Sequence, residues 1–310
     1  MVPFFSARHV EAAVPPERAY EAVRNAFVAH ARAEWTMQPK LYVTNYPAGD
    51  FRAMPALGGG HALLKWVTSF PGNPERGLPT VSGLVILSDA DTGVVEAVLD
   101  AGSVTALRTG AAAVLAAETL GGPGGVASVI GVGVNGRAAA RTFKALGRDV
   151  LLWDVDEERT RAVAADLGVG IAGSRDEALG ADAIVTVTPG RTILIPEGTL
   201  RPGQHVSLMG ADGPGKAEIA VGELRRARIF CDEWEQASHG GELAAAVDAG
   251  AIDRGDVTEL GYVLTGEAEG RRSADEITIF DSTGLAIQDL AVAIAAFERR
   301  DELDLPTFDL

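Results

Sequence analysis

Between residues 126 and 154 the chain follows a pattern that few folds accommodate. An apolar stretch, VASVIG, runs into glycines at 131, 133 and 136. An alanine-rich segment, NGRAAARTFKALG, follows, and a second apolar stretch, DVLLWD, ends on Asp154. The spacing G-x-G-x-x-G alone marks turns in many proteins. Placed between a strand and a helix, it lets the backbone approach a pyrophosphate at the helix N-terminus, where the amides are unpaired. Asp154 stands 23 residues after Gly131, where a carboxylate binds the ribose hydroxyls of NAD and repels the extra phosphate of NADP. The bland alternative is that Asp154 caps the helix predicted next, which opens VDEER.

The same rhythm continues. ADAIVTVT, QHVSLMG and ARIFCD are further short apolar strands separated by helical segments. The alternation predicts an α/β, doubly wound (Rossmann) parallel sheet. The first part of the chain reads differently. Pro15 and Pro16 open a helix through about residue 34, with Tyr20, Val23, Phe27 and Ala31 on one face. Then come strand-like runs in succession, KLYVTNY, DFRAMPA, HALLKWVTSF, TVSGLVILSD and GVVEAVLD. They predict a mixed or antiparallel sheet in a strand-rich α+β unit. Ser103 is expected to cap a helix over 104–120, and GGPGG at 121–125 marks the boundary. The expected domains are 1–120 and 121–284, with a final helix, 285 to about 299, packing back on the first along with the rest of 285–310.

A net charge of −16 argues against a nucleic-acid or anionic-membrane partner. It reads as a solvated acidic surface, with adaptation to salt as a second reading. The five histidines show no ligand spacing and Cys231 stands alone, so neither a metal site nor an intrachain disulfide is expected, and a reducing cytoplasm fits. No run of 18 apolar residues is present, and the start of the chain has no signal-peptide pattern and reads as mature protein.

Lysine is scarce: only Lys40, Lys65, Lys144 and Lys216 occur. Lys65 nevertheless sits in an apolar strand, LLKWV, where a charge is costly unless paired. Arg108 lies in the alanine-rich TALRTGAAAVLAA, Lys40 follows Pro39 at a strand start, and Asp212 follows the apolar strand VSLMG. Either these groups form internal ion pairs, or the cations hold a substrate carboxylate and Asp212 does acid–base work.

The ordered set MPA (54–56), K-x-V (65–67), FPGNPERGLPTV, DADTG (89–93), VTALRTGAAA, VIGVGVNG, GADGPGKAE and FDSTGLAIQDLA resembles the ornithine cyclodeaminase/mu-crystallin family over nearly the whole chain. The resemblance implies a first domain that binds substrate and forms a homodimer, and a second that binds NAD. It implies Lys65 and Asp212 as catalytic residues, and Lys40, Lys65, Thr80 and Arg108 as substrate contacts. As cofactor contacts it implies Arg108, Thr109, Gly131, Gly133, Val134, Asn135, Gly136, Asp154, Thr188 and Ser282. Two positions depart from the family. Lys40 stands where many members carry arginine, losing the bidentate fork. Arg52, in DFRAMP, stands where ornithine cyclodeaminases carry the glutamate that receives the distal ammonium. Unless Arg52 points to solvent, it would repel that ammonium. The favoured activity is NAD-dependent oxidative deamination of a small L-amino acid, L-alanine first, as in the archaeal-type alanine dehydrogenases. Ornithine cyclodeamination, ketimine reduction and a non-enzymatic, mu-crystallin-like binding role are the alternatives.

Overall fold

The computed structural model describes the 310-residue chain except Arg191, Asp212 and Pro214. In chain order the elements are β1 (Val2–Phe5), α1 (Ala7–Ala13), α2 (Pro16–Ala31), β2 (Thr36–Met37), β3 (Leu41–Asn45), β4 (Gly49–Gly58), β5 (His61–Ser69), β6 (Val81–Asp89), β7 (Val95–Asp100) and α3 (Ala101–Leu120). Next come β8 (Val126–Ile130), α4 (Val134–Ala145), β9 (Asp149–Trp153), α5 (Glu157–Leu167), β10 (Gly170–Ile171), α6 (Arg175–Leu179), β11 (Ala183–Thr186) and β12 (His205–Leu208). The chain continues with α7 (Val221–Leu224), β13 (Arg228–Cys231), α8 (Trp234–Gly240), α9 (Ala244–Asp248), β14 (Val257–Glu259), α10 (Leu260–Thr265), β15 (Thr278–Asp281), α11 (Ala286–Phe297) and β16 (Thr307–Phe308).

Two compact units result, Met1–Arg108 with Leu285–Leu310, and Thr109–Gly284. The division falls inside α3, twelve residues before the 121–125 glycines. Good helix formers carry α3 without a break to Leu120, so the glycines end a helix instead of separating the units. The same helix starts earlier than the sequence suggests. Ser103 is not its cap: it lies in the first turn, and Asp100, the last residue of β7, accepts the Ser103 N–H at 2.7 Å. A carboxylate there both caps the free amides and suits the positive end of the helix dipole.

The sheet of the first unit runs β16-β1-β7-β6-β5-β4-β2, with β3 on β4. It is mixed, because β1 lies parallel to β7 whereas β4, β5, β6 and β7 are antiparallel neighbours. Its two faces differ as strand alternation requires. On β5, Leu63, Lys65 and Val67 are buried, while Leu64 and Trp66 are exposed. The inner face is covered by α11, which packs on β4, β5 and β6 and along α2, whose Ala19, Val23, Ala26 and Phe27 are buried. Burying a side chain such as Val23 or Phe27 contributes about 1.5–3 kcal/mol. Within apolar α11, Gln288 and Asp289 are fully buried.

The sheet of the second unit runs β10-β9-β8-β11-β12-β15-β13-β14, every pairing parallel. β8 lies between β9 and β11, so the strand order reverses there. In doubly wound sheets this reversal opens the ligand crevice beyond the strand ends.

Candidate active site

In the first unit, register sets Lys65 opposite Met54 on β4 and Val85 on β6, both buried apolar residues. The Lys65 Nζ donates to Asp289 Oδ2 at 2.7 Å and to Thr105 Oγ1 at 3.4 Å. Lys65 is 1% exposed and Asp289 fully buried. Arg108 also faces Asp289, Nε to Oδ1 at 3.4 Å, and its guanidinium donates to Gln288 Oε1 at 3.4 Å. Among the described residues, Arg108 Nε, Asp289 Oδ1 and Gln288 Nε2 are buried and make no hydrogen bond. Each such atom costs about 1–3 kcal/mol until it finds a partner. Among the described residues, Lys65 and Arg108, when charged, outnumber the one carboxylate, Asp289, that both approach. Burial pushes the Lys65 ammonium down to about 7. Asp289 opposes this, and the charges of Arg108 and Lys40 add to it. A substrate carboxylate would supply the missing acceptor and the missing negative charge.

Three other positions of this unit stand as follows. Lys40 is half-buried just ahead of β3, with its charge felt at Lys65. Thr80 lies just before β6, where its carbonyl accepts the Phe70 N–H at 2.8 Å. That contact ties Thr80 to the β5–β6 connection. Arg52 turns inward: it pairs with Val67 across the strands, on the buried face that carries Lys65. Its Nε donates to Asp50 Oδ1 at 2.6 Å, and a terminal nitrogen donates to Oδ2 at 3.2 Å. The guanidinium also stacks over Tyr42, 5.2 Å from the ring centre. The acid on this face is therefore engaged by an arginine.

In the second unit the backbone carries the site. Gly131 follows β8 with φ +98°, and a β-carbon there would lie 2.7 Å from the Val187 carbonyl oxygen. A β-carbon on Gly136 would lie 1.8 Å from the Gly131 carbonyl oxygen. Among the described residues, a β-carbon at Gly133, the residue before α4, would meet nothing within 4 Å, and no side chain caps the first amides of α4. Val134 is exposed and Asn135 half-buried in that first turn. The result is an open cradle of N–H donors, the arrangement that receives a phosphate.

Asp154 belongs to this loop and does not cap α5, a role taken by Asp156, which accepts the Arg159 N–H at 2.9 Å. Asp154 Oδ2 accepts the Val132 N–H at 2.6 Å, and Arg159 approaches it to 3.7 Å. Beside it a cleft of about 230 Å³ is lined by Trp153, Asp154, Glu157, Thr160, Arg161 and Ile171 among others. Thr188 adjoins Gly131 and gives both its N–H and hydroxyl to Glu218 Oε1, at 2.8 and 2.6 Å. Ser282 donates to Asp232 at 3.0 Å, and Thr109 is buried within α3. Asp212 lies outside the described residues.

Sequence reasoning missed the buried acids. Asp289 sits beside the amide Gln288 within FDSTGLAIQDLA, and the signal was available: a carboxylate in an otherwise apolar helix is as anomalous as a lysine in an apolar strand. Glu218 gathers Thr186, Thr188 and the Gly210 N–H. Glu242 accepts the Glu218 N–H, and burial together with the Glu218 charge pushes it up to about 8.

The family model of the ornithine cyclodeaminase/mu-crystallin family matches residues 3–303. The alanine dehydrogenase of Archaeoglobus fulgidus is 43% identical over 299 residues, covering 93% of this chain and 92% of that one. A solved archaeal alanine dehydrogenase dimer with bound NAD superposes with a TM-score of 0.92 at 39% identity, covering 99% of both chains. The iminosuccinate reductase of Paracoccus denitrificans in complex with NAD+ gives a TM-score of 0.89 at 30% identity, covering 97% of both. The chain belongs to the ornithine cyclodeaminase/mu-crystallin family.

Proposed function

We propose that this chain is an NAD-dependent oxidoreductase acting on the amine or imine of a small L-amino acid, chiefly the oxidative deamination of L-alanine to pyruvate and ammonia and its reverse. The observation that carries this reading is the buried cluster of Lys65, Arg108 and Asp289, cation-rich and with an unsatisfied guanidinium N–H. Arg108 takes the substrate carboxylate, with Lys65 as the second cation and Lys40 adding positive potential. NAD, when bound, supplies the two-electron acceptor for the α-hydrogen of the substrate. Gly131, Gly133 and the amides of Val134, Asn135 and Gly136 would hold the pyrophosphate, and Asp154 would accept from the ribose hydroxyls. Asp212 takes a proton from the water that attacks the imine carbon. Water then supplies the keto oxygen and ammonia leaves. The open cradle at Gly133 and the Asp154 carboxylate next to the loop support a dinucleotide at this place. The fold of the NAD-bound relatives supports the same assignment.

The side chains around Lys65 favour alanine over ornithine. A distal ammonium needs an available carboxylate, and Asp50 on this face is engaged by Arg52. The test is a panel of L-amino acids with NAD, followed by NADH absorbance, alongside an assay for proline from ornithine. Alanine should be oxidised fastest, and proline formation as the main reaction would overturn the reading.

A homodimer goes with it. The outer face of the first sheet exposes Leu41, Val43, Leu57, Leu64, Trp66 and Leu84, an apolar surface suited to a second copy of itself. A monomer mass in solution at micromolar concentration would be the contrary result.

A further inference from the structure

We infer that Asp289 is a positioning residue of the substrate site: it fixes the Lys65 ammonium in place and holds the Arg108 guanidinium only loosely, beside it, for a substrate carboxylate. The inference rests on the reading of the cluster as a substrate site. Its geometric basis is the unequal grip of one carboxylate on two cations. Oδ2 accepts a short hydrogen bond from Lys65 at 2.7 Å, whereas Oδ1 stands 3.4 Å from Arg108 Nε and, among the described residues, neither of those two atoms makes a hydrogen bond. A carboxylate serving only to neutralise both cations would be expected to bond both. The placement is also rigid. Asp289 sits in the first turn of α11, where the helix dipole favours negative charge, and the helix around it is buried. Lys65 lies in the middle of β5, with a neighbouring strand on each side. The bond between them joins residues 224 positions apart.

Lys65 is faced by Asp289 from α11, by Arg108 and Thr105 from α3, and by the charge of Lys40 ahead of β3. The Asp50–Arg52 pair shares its face on β4. Among the described residues whose charge acts on Lys65, Asp289 helps hold its proton on. Burial, Arg108 and Lys40 all drive the proton off, to a balance at about 7. Without the Asp289 charge that balance would tip further toward the neutral amine and weaken the hold of Lys65 on an anionic substrate.

The scarcity of lysine makes this measurable without any substrate. Protein labelled with carbon-13 at lysine Cε carries four lysine signals, and that of Lys65 is the one lost in Lys65→Met. In Asp289→Asn the Lys65 titration midpoint should fall by at least about one pH unit, and in Asp289→Glu it should stay within about half a unit of wild type. With alanine as substrate, kcat/KM of Asp289→Asn at pH 7 should fall about tenfold or more, and its pH profile should move acidward by the same shift. NAD affinity, read by fluorescence titration, should not change. If Asp289→Asn does not fold, Asp289→Leu serves: it replaces the carboxylate by an apolar group of similar size, and the Lys65 midpoint should fall by at least about one pH unit there too. An unmoved midpoint in whichever of the two variants folds overturns the inference. So does an unchanged pH profile in an active Asp289→Asn protein. A shifted midpoint in a protein that oxidises no amino acid would instead overturn the functional reading and leave the hold of Asp289 on Lys65 standing.

Discussion

The cation cluster of the first unit and the glycine loop of the second solve different problems by different means. The cluster is made of side chains, Lys65 from a strand, Arg108 from one helix and Asp289 from another, brought together from distant parts of the sequence. The loop is made of backbone, and its parts, from Gly131 to Asp154, lie within one strand–helix–strand segment. Binding an anion through buried side chains needs long-range packing to hold the charges, and each must be compensated. Binding through amides at a helix start needs only that β-carbons be absent where the chain must come close.

If the two regions are separable in function, damage to one should spare the other. The largest effect expected is at Lys65. Lys65→Met should lower kcat/KM for alanine by about a hundredfold or more, a charge-assisted contact of roughly 3 kcal/mol, while NAD affinity stays within about twofold. Because the structure pairs Lys65 with Asp289, the variant should also melt lower. Steady-state kinetics, a melting curve and a nucleotide titration separate these effects. A protein that melts lower but keeps its activity per folded molecule would reduce Lys65 to a structural ion pair.

The converse damage is Gly136→Ala, whose new β-carbon would press on the Gly131 carbonyl. Overpacking of this kind costs about 1–3 kcal/mol, so NAD affinity should drop roughly tenfold to a hundredfold while the Lys65 titration midpoint stays put. A moved midpoint would show the two regions to be coupled. A smaller change is expected at Asp154, where substitution by serine should narrow the preference for NAD over NADP by about tenfold, measured as the ratio of dissociation constants. Equal affinity for both dinucleotides in the unmodified protein would break the assignment of Asp154 to the ribose.

The smallest effects are in stability against pH, and they have opposite signs at a buried group of each unit. Lys65 is depressed from 10.5 to about 7, so between those values the unfolded chain binds more protons and stability rises with pH. Glu242 is raised from 4.5 to about 8, so over that window the folded chain binds more protons and stability falls as pH rises. Lys65→Met should flatten the first limb and Glu242→Gln the second, each by an amount on the order of 1 kcal/mol or more in denaturant titrations at several pH values. A slope left unchanged by its own substitution would show that the group is not the one titrating.

The sequence by itself determined the dinucleotide half of this protein and the class of both folds. Strand–helix alternation, the three glycines and Asp154 are local signals, because they all fall within the one β8–α4–β9 segment. It also marked Lys65 and Arg108 as charges in the wrong company. What the tertiary structure decided was the company they keep. No spacing relates residue 65 to residue 289; their meeting depends on α11 returning to lie across β4, β5 and β6. The inward turn of Arg52 and its pairing with Asp50 were likewise decided by register, since one step along a strand moves a side chain to the opposite face. The start of α3 was settled by Asp100, a strand residue that becomes a cap only once β7 and α3 meet end to end. Charges are legible in a sequence as anomalies, but their partners are set by packing, because a buried charge takes whichever counter-charge the fold carries within reach.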